Sequence, residues 1–381
     1  MQEKPPYRVP SMAEIAALPW NGLTVASTFS GCGGSSLGYR MAGFKVAWAN
    51  EFIPAAQDTY KANAAADCFL DRRDVRTIRH EEILEQLGMK AGELDLFDGS
   101  PPCASFSTAG KREAGWGEAK KYSDTKQRTD DLFFEYIRLL KGLQPRVFIA
   151  ENVSGLVKGT AKGYFLEILA AMKASGYRVA CRVLDAQWLG VPQQRQRTIF
   201  IGVRNDLNLD PVHPKPLAYR YSVREALPWI DGRVEYHGFK KENEVMDKGE
   251  LSPAILASGA TQQRSTVEAE TDISRYAIGK EWDKLKPGEQ SGKYFSLVKP
   301  SLDSPVPCIQ ASHGGASIAG VVHPTEKRKF TIAELRRLCA FPDDFILTGT
   351  YAQQWERLGR SVPPVMMSHI AAAVRDGVLN K

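Results

Sequence analysis

The chain predicts an α/β domain with a mostly parallel sheet and a smaller, irregular second domain. Two observations carry this. Through the first two hundred residues, apolar runs bounded by turn signals alternate with helical patterns. From about residue 206 to about 322 that rhythm dissolves into Pro, Gly, Ser, Gln and charge, with only short apolar pieces.

The strand signals come in order: LTVASTF (23–29), FKVAWANE (44–51), LDLFDG (94–99), RVFIAENV (146–153), YRVACRVLDA (177–186) and RTIFIGVR (197–204). Each is a short run rich in β-branched or aromatic residues, as a half- or fully buried strand requires. DDLFFEYIRLLKGL (130–143) and YFLEILAAMKASG (164–176) repeat apolar residues at three- and four-residue spacing and predict helices between strands. Helical patterns return at 331–341 and 365–375, so the end of the chain is expected to pack back on the first domain. The stretch 107–130 is polar and rich in Gly and Lys, which suits a surface loop. The expected organisation is an N-terminal extension (1–22), a catalytic and cofactor-binding domain (23–205), the irregular domain (206–322) and a returning C-terminal segment (323–381).

With 381 residues, 43% hydrophobic and 25% charged, the chain can bury a full core. No apolar stretch approaches the ~20 residues of a membrane span, and the N-terminus lacks a signal-peptide layout, so a cytoplasmic location is expected. Six scattered cysteines without a CxxC pair argue against a zinc site or a disulfide framework. A net charge of +6 permits a polyanionic partner without demanding one.

Four places carry chemistry. Gly31, Gly33 and Gly34 follow the first strand and open a helix, a turn where backbone N–H groups can approach a ligand closely; such turns are as often simple tight connections. Glu51 ends the second strand about 20 residues on, where an acid can bond ribose hydroxyls, and Asp74 ends an expected third strand, so a nucleoside-bearing cofactor fits this region. Cys103 follows Pro101 and Pro102 at the C-terminal end of a strand, either as a nucleophile or as a buried core thiol. Glu151 ends another strand, where desolvation can keep a carboxyl protonated; the bland alternative is a carboxylate at a helix N-terminus. Arg195 and Arg197 stand two apart entering a strand, with both side chains expected on one face, which could equally be a solvated one.

In this order the pieces resemble the DNA (cytosine-5) methyltransferase family. The match runs through FxGxGG (Phe29 to Gly34), Glu51, PPC with a following FS (Pro101 to Cys103, Phe106, Ser107), ENV (Glu151 to Val153) and QxRxR (Gln193, Arg195, Arg197). It continues through RRLCAFPDDF (336–345) and the GxSVPP turn at 359. The resemblance implies a Rossmann-like S-adenosylmethionine-dependent methyltransferase sheet of seven strands, with a target-recognition domain at 206–322. It implies double-stranded DNA as partner, no metal, a DNA-associated monomer and a place in restriction-modification. Cys103 would add to C6 of a flipped-out cytosine, with Glu151 against N3 and the exocyclic amine, Arg197 on O2 and Arg195 organising the site. Phe29 and Phe52 would lie against the adenine, Glu51 on the ribose and Asp74 on the adenine amine. Gly31, Gly33, Pro102, Leu132, Arg360 and Ser361 would complete the cofactor site.

Two departures stand out. Ala104 replaces the glutamine that commonly follows the nucleophile, and Arg360 replaces an asparagine in GNSV. A guanidinium ~4 Å from a sulfonium would meet a repulsion on the order of 4 kcal/mol at an effective dielectric of 20. A donor whose transferred group carries a carboxylate would instead suit it. The expectation is therefore a carboxymethyltransferase that uses carboxy-S-adenosylmethionine to make 5-carboxymethylcytosine. Ordinary methylation from S-adenosylmethionine, a tRNA cytosine-5 methyltransferase, whose Cys-Phe-Thr signature is missing from the second half, and a catalytically silent DNA-binding module are the alternatives.

Overall fold

The computed structural model describes residues 4–102, 120–122, 125–127, 129, 131–157, 162–230 and 270–381. The chain divides into two compact units. One consists of Ala13–Ala186, Gln196–Pro216 and Ser361–Lys381, and the other of Met1–Met12, Gln187–Arg195 and Leu217–Arg360.

The first unit is built on one seven-stranded sheet. Its strands are β1 (Thr24–Thr28), β2 (Lys45–Asn50), β3 (Phe69–Asp71), β4 (Leu96–Gly99), β5 (Val147–Val153), β6 (Tyr177–Asp185) and β7 (Gln196–Arg204), in the order β3-β2-β1-β4-β5-β7-β6. All pairings from β3 to β5 are parallel, and β7 runs antiparallel to both β5 and β6. The order reverses between β1 and β4, so the ends of these two strands flank the crevice in which open α/β sheets bind ligands. Each of the six apolar runs in the sequence corresponds to one of these strands; the seventh, β3, is only three residues long and lies outside them, where the sequence offered only an expected strand ending at Asp74.

Helices α1 (Gly34–Met41), α2 (Pro54–Asn63), α3 (His80–Leu87), α4 (Leu132–Leu143) and α5 (Lys162–Ala174) connect the strands. Proline opens α2, where its missing N–H costs nothing, and Gly88 in the left-handed region (φ 64°) ends α3. Helix α4 buries Leu132, Phe133, Tyr136, Ile137, Leu139, Leu140 and Leu143, the stripe read from its spacing. Tyr136 lies at the centre of this core. Its ring stacks on Phe97 at 4.8 Å, and its hydroxyl donates to the Phe97 carbonyl (3.2 Å) and the Ile149 carbonyl (3.1 Å), fixing β4 against β5. The same ring occupies the space that a side chain at Gly99 would need.

The second unit has little regular structure among its described residues. Gln193–Gln194 pair in parallel with Val306–Pro307, and the helices are short apart from α7; they include α6 (Ile332–Leu338) and α7 (Tyr351–Arg360). Ile273, Ile278, Leu297 and Val322 form a small core. Thr331 and Glu334 cap α6 reciprocally, while Glu334, buried, accepts two 2.8 Å hydrogen bonds from Arg328. Helix α8 (Pro364–Val374) belongs to the sheet-bearing unit, which the chain rejoins at Ser361.

Candidate active site

Three strand ends position the site within the sheet-bearing unit. After β1, Phe29 takes a left-handed conformation (φ 53°), as do Gly31 (φ 57°) and Gly33 (φ 95°), and Gly33 caps α1. A bulky residue at positive φ is uncommon, and here it stands at the turn between β1 and α1. Among the described residues no atom lies within 4 Å of where a Cβ on Gly31 would stand. Phe52 follows β2 directly and is half-buried.

Glu51 is buried, and its carboxylate ties two loops together. It accepts from the Gly31 N–H (2.7 Å) and from the Ile53 N–H (2.6 Å). An ionised carboxylate has about four acceptor positions, so it can also take ribose hydroxyls. Asp74 corrects the sequence reading. The third strand ends at Asp71, and Asp74 instead caps the 3₁₀ turn Val75–Thr77, accepting from the Arg76 N–H and pairing with the Arg76 guanidinium at 3.0 Å. Arg76 reaches on to Asp131, which precedes α4, at 2.7 Å. Leu132, the first residue of α4, is buried in the core beside Phe133.

At the end of β4, Pro101 is buried and Pro102 half-buried. Cys103 and the expected loop after it lie outside the described residues, apart from the short hairpin Lys120–Tyr122 with Thr125–Gln127 and Thr129. The Asn152 side chain donates to the Pro101 carbonyl at 3.0 Å, so the ENV strand holds the segment leading into the cysteine. Glu151, buried on β5, is not an isolated carboxyl: the Arg197 Nε stands 2.7 Å from its Oε1. The register explains the meeting. Ile199 lies opposite Glu151 and Arg197 opposite Val153, so Glu151 and Arg197 are diagonal neighbours on one face.

The expectation that Arg195 and Arg197 share a face fails, because the strand breaks between them. Gln193–Gln194 belong to a separate two-stranded pairing, and β7 begins at Gln196. Arg195, 1% exposed, donates to the Gly359 carbonyl at 2.9 Å and the Ile309 carbonyl at 3.4 Å. Gly359 and Arg360 are not turn residues either; they end α7, and the turn is Ser361 to Pro363. A Cβ on Gly359 would stand 2.6 Å from the Ala311 backbone. The Arg360 Nε pairs with Glu356 one helical turn earlier at 2.7 Å, and Glu356 also meets Arg357 at 3.0 Å. Ser361 is half-buried.

Sequence reasoning missed Asp98. It is 1% exposed on β4, with Oδ1 accepting from the Tyr39 hydroxyl (2.9 Å) and Oδ2 from the Ser27 hydroxyl (2.8 Å). Burial pushes its carboxyl up to about 7; the two hydroxyls oppose the shift and the charge of Glu151 adds to it. The available signal was an acid inside the apolar run LDLFDG.

Among the described residues no cluster of His, Cys, Asp or Glu could hold a metal ion, and no helix is long and apolar enough to cross a membrane. A family model for C-5 cytosine-specific DNA methylases matches residues 23–376. The Type II methyltransferase M1.HphI of Haemophilus parahaemolyticus is 30% identical over 353 residues, covering 92% of this chain and 86% of its own. The Type II methyltransferase M.NgoPII of Neisseria gonorrhoeae is 29% identical over 378 residues, with 96% and 98% covered. Among solved structures, a prophage-encoded chain of E. coli superposes with a TM-score of 0.67 at 23% identity, covering 94% of this chain and all of that one. The Dnmt2 methyltransferase of S. pombe superposes with a TM-score of 0.59 at 17% identity, covering 93% and 98%. These two likenesses concern the fold.

Proposed function

We infer the reaction from one premise: this chain belongs to the C-5 cytosine-specific DNA methylase family. We propose that it flips a cytosine out of duplex DNA and transfers a methyl group to C5. The observation that carries the reading is the Glu151–Arg197 pair on β5 and β7, together with the Asn152 side chain that holds the Pro101 carbonyl, two residues before Cys103 in the chain.

The turn after β1 fits a nucleoside-bearing donor, with no described atom within 4 Å of a Cβ position at Gly31, a buried carboxylate at Glu51 and an aromatic ring at Phe29. Phe29, Gly31, Gly33, Glu51, Phe52 and Asp74 are the residues assigned to hold it, with Pro102, Leu132 and Ser361 completing its surroundings. S-adenosylmethionine, when bound, supplies an electrophilic methyl carbon. Cys103, as thiolate, adds to C6 of the cytosine, and the electron pair this pushes to C5 would form the new bond to the methyl carbon as that carbon's bond to the donor's sulfonium sulfur breaks, its electron pair staying on the sulfur. Glu151, aligned by Arg197, faces N3 and the exocyclic amine, where charge develops as the ring loses aromaticity. Loss of the C5 proton then expels the Cys103 sulfur and restores the ring. Arg197 serves O2 of the base, and Arg195 organises the backbone at Gly359 and Ile309. A single chain carries every residue named, so the acting unit proposed is a monomer. Target choice is assigned to 206–322 together with the 104–130 loop.

A second reading, carboxymethyl transfer from carboxy-S-adenosylmethionine, rests on Arg360 alone. The Glu356 pair weighs for methyl transfer: the Arg360 guanidinium, already engaged within its own helix by a carboxylate it shares with Arg357, must give up Glu356 to grip a donor carboxylate. The test incubates duplex DNA with each donor, singly and in competition, and reads the nucleosides by mass spectrometry. The expected product is 5-methylcytosine, absent with Cys103→Ser. A preponderance of 5-carboxymethylcytosine, reversed by Arg360→Asn, would establish the second reading instead.

A further inference from the structure

Phe295 is 86% exposed, the most exposed of the large hydrophobic side chains described, yet it sits on a firmly built turn. The backbone N–H groups of Lys293 and Tyr294 both donate to the Ser291 hydroxyl at 3.0 Å, and that hydroxyl donates to buried Glu281 at 3.0 Å. The Ser291 N–H reaches the Leu297 carbonyl (2.9 Å), the Leu297 N–H reaches the Tyr294 carbonyl (2.8 Å), and the Gln290 amide donates to the Phe295 carbonyl. Tyr294 and Leu297 flank Phe295 and pack in the small core of the unit. The turn is therefore pinned on both sides while one aromatic ring is held in water.

Nothing in the turn's own hydrogen bonding calls for an aromatic side chain at 295, since its bonds there are made by backbone. The surrounding segment is also positive. From Arg275 to Lys299 six basic residues stand against three acidic ones; Lys299 is buried and donates to the Leu285 carbonyl, which leaves five basic residues for the surface. Each acid is engaged: Glu281 by Lys284 and Ser291, Asp283 by Lys327, and Glu289 by the Lys286 backbone N–H. A positive surface bearing a fixed, projecting aromatic ring matches a polyanion whose interior is stacked rings.

We propose that the Lys293–Phe295 turn is a contact element for duplex DNA, with Phe295 wedging against a base step and Lys293 meeting a phosphate. This rests on the reading of the chain as a DNA cytosine transferase. Binding the groove by a single ring makes Phe295 a positioning residue: it holds the duplex in register and takes no part in bond making.

The test measures the affinity of the full chain for a mixed-sequence DNA duplex, together with KM for DNA, KM for the donor, and kcat. Phe295→Ala is expected to raise both the DNA dissociation constant and KM for DNA about tenfold, the scale of losing one ring from a base stack. KM for the donor should stay unchanged, and Phe295→Trp should restore binding to within about twofold. Lys293→Ala should lower the salt dependence of binding by about one phosphate contact. Unchanged DNA affinity in Phe295→Ala would overturn the proposal, as would a wild-type dimer that Phe295→Ala converts to monomer without loss of DNA affinity. Wild-type protein that binds the duplex but modifies no cytosine would sink the catalytic reading, while the affinities still decide the role of Phe295.

Discussion

Asp98 brings a carboxyl to the middle of the sheet, where Ser27 on β1 and Tyr39 on α1 both donate to it. A folded-state value of about 7, against an ordinary 3.8, means that the native protein keeps a proton that the unfolded chain has already released between those pH values. The sign follows: stability contributed by this group is present below about pH 4 and is lost as pH rises towards 7. Three pH units correspond to about 4 kcal/mol. Asp98→Asn cannot ionise and keeps the shape, and either hydroxyl can turn to accept from its amide. Denaturant unfolding at pH 4.5, 6 and 8 should therefore show the variant gaining on the wild type as pH rises, by an amount on the order of 2–4 kcal/mol. A constant difference across that range would mean that Asp98 does not titrate there.

Between elements, α1 packs closely on α8 in the sheet-bearing unit. A Cβ on Gly38 would stand 2.5 Å from the Met367 Cβ and 2.6 Å from the Pro364 carbonyl oxygen. Two effects compete in Gly38→Ala. Alanine is favoured over glycine inside a helix by about 1 kcal/mol, but overpacking against a rigid backbone costs about 1–3 kcal/mol. The Pro364 carbonyl oxygen moves only if the helices separate, so overpacking wins. Thermal unfolding should show Gly38→Ala lowered, by roughly 1–2 kcal/mol net. Gly163, near the start of α5, has nothing within 4 Å, and Gly163→Ala should be neutral or slightly stabilising. Equal effects at both sites would contradict the packing account.

At the scale of the whole molecule, chemistry and target choice are assigned to different stretches of chain. Most of the residues proposed for chemistry and donor binding lie in the sheet-bearing unit, Arg195 and Arg360 lie in the other, and the residues proposed for recognition come from 206–322. Exchanging 206–322 for the corresponding segment of a relative with another target should move the modified site while Cys103 and Glu151 chemistry persists. Sequencing of the modified DNA reads the outcome, and an unchanged site would place recognition elsewhere.

The sequence by itself determined the strand order of events along the sheet-bearing unit. Each strand and helix there is a local apolar period cut by Gly, Pro or a capping residue, and local periods are written in neighbouring residues. The proximity of Gly31, Glu51, Pro101 and Glu151 to the C-terminal ends of strands was legible too, because a strand followed by a turn is a local feature, although Glu151 stands two residues inside β5. Only the tertiary structure decided which groups meet. Glu151 finds Arg197 through an antiparallel register 46 residues away in sequence, and Asp98 finds Ser27 and Tyr39 across β1 and α1. The break at Arg195 was invisible because alternation predicts a shared face only while one strand continues, and the partner strand that ends this one begins at Val306. Pairings of that kind depend on long-range register and on the burial of charge, neither of which a residue's neighbours in the chain can specify.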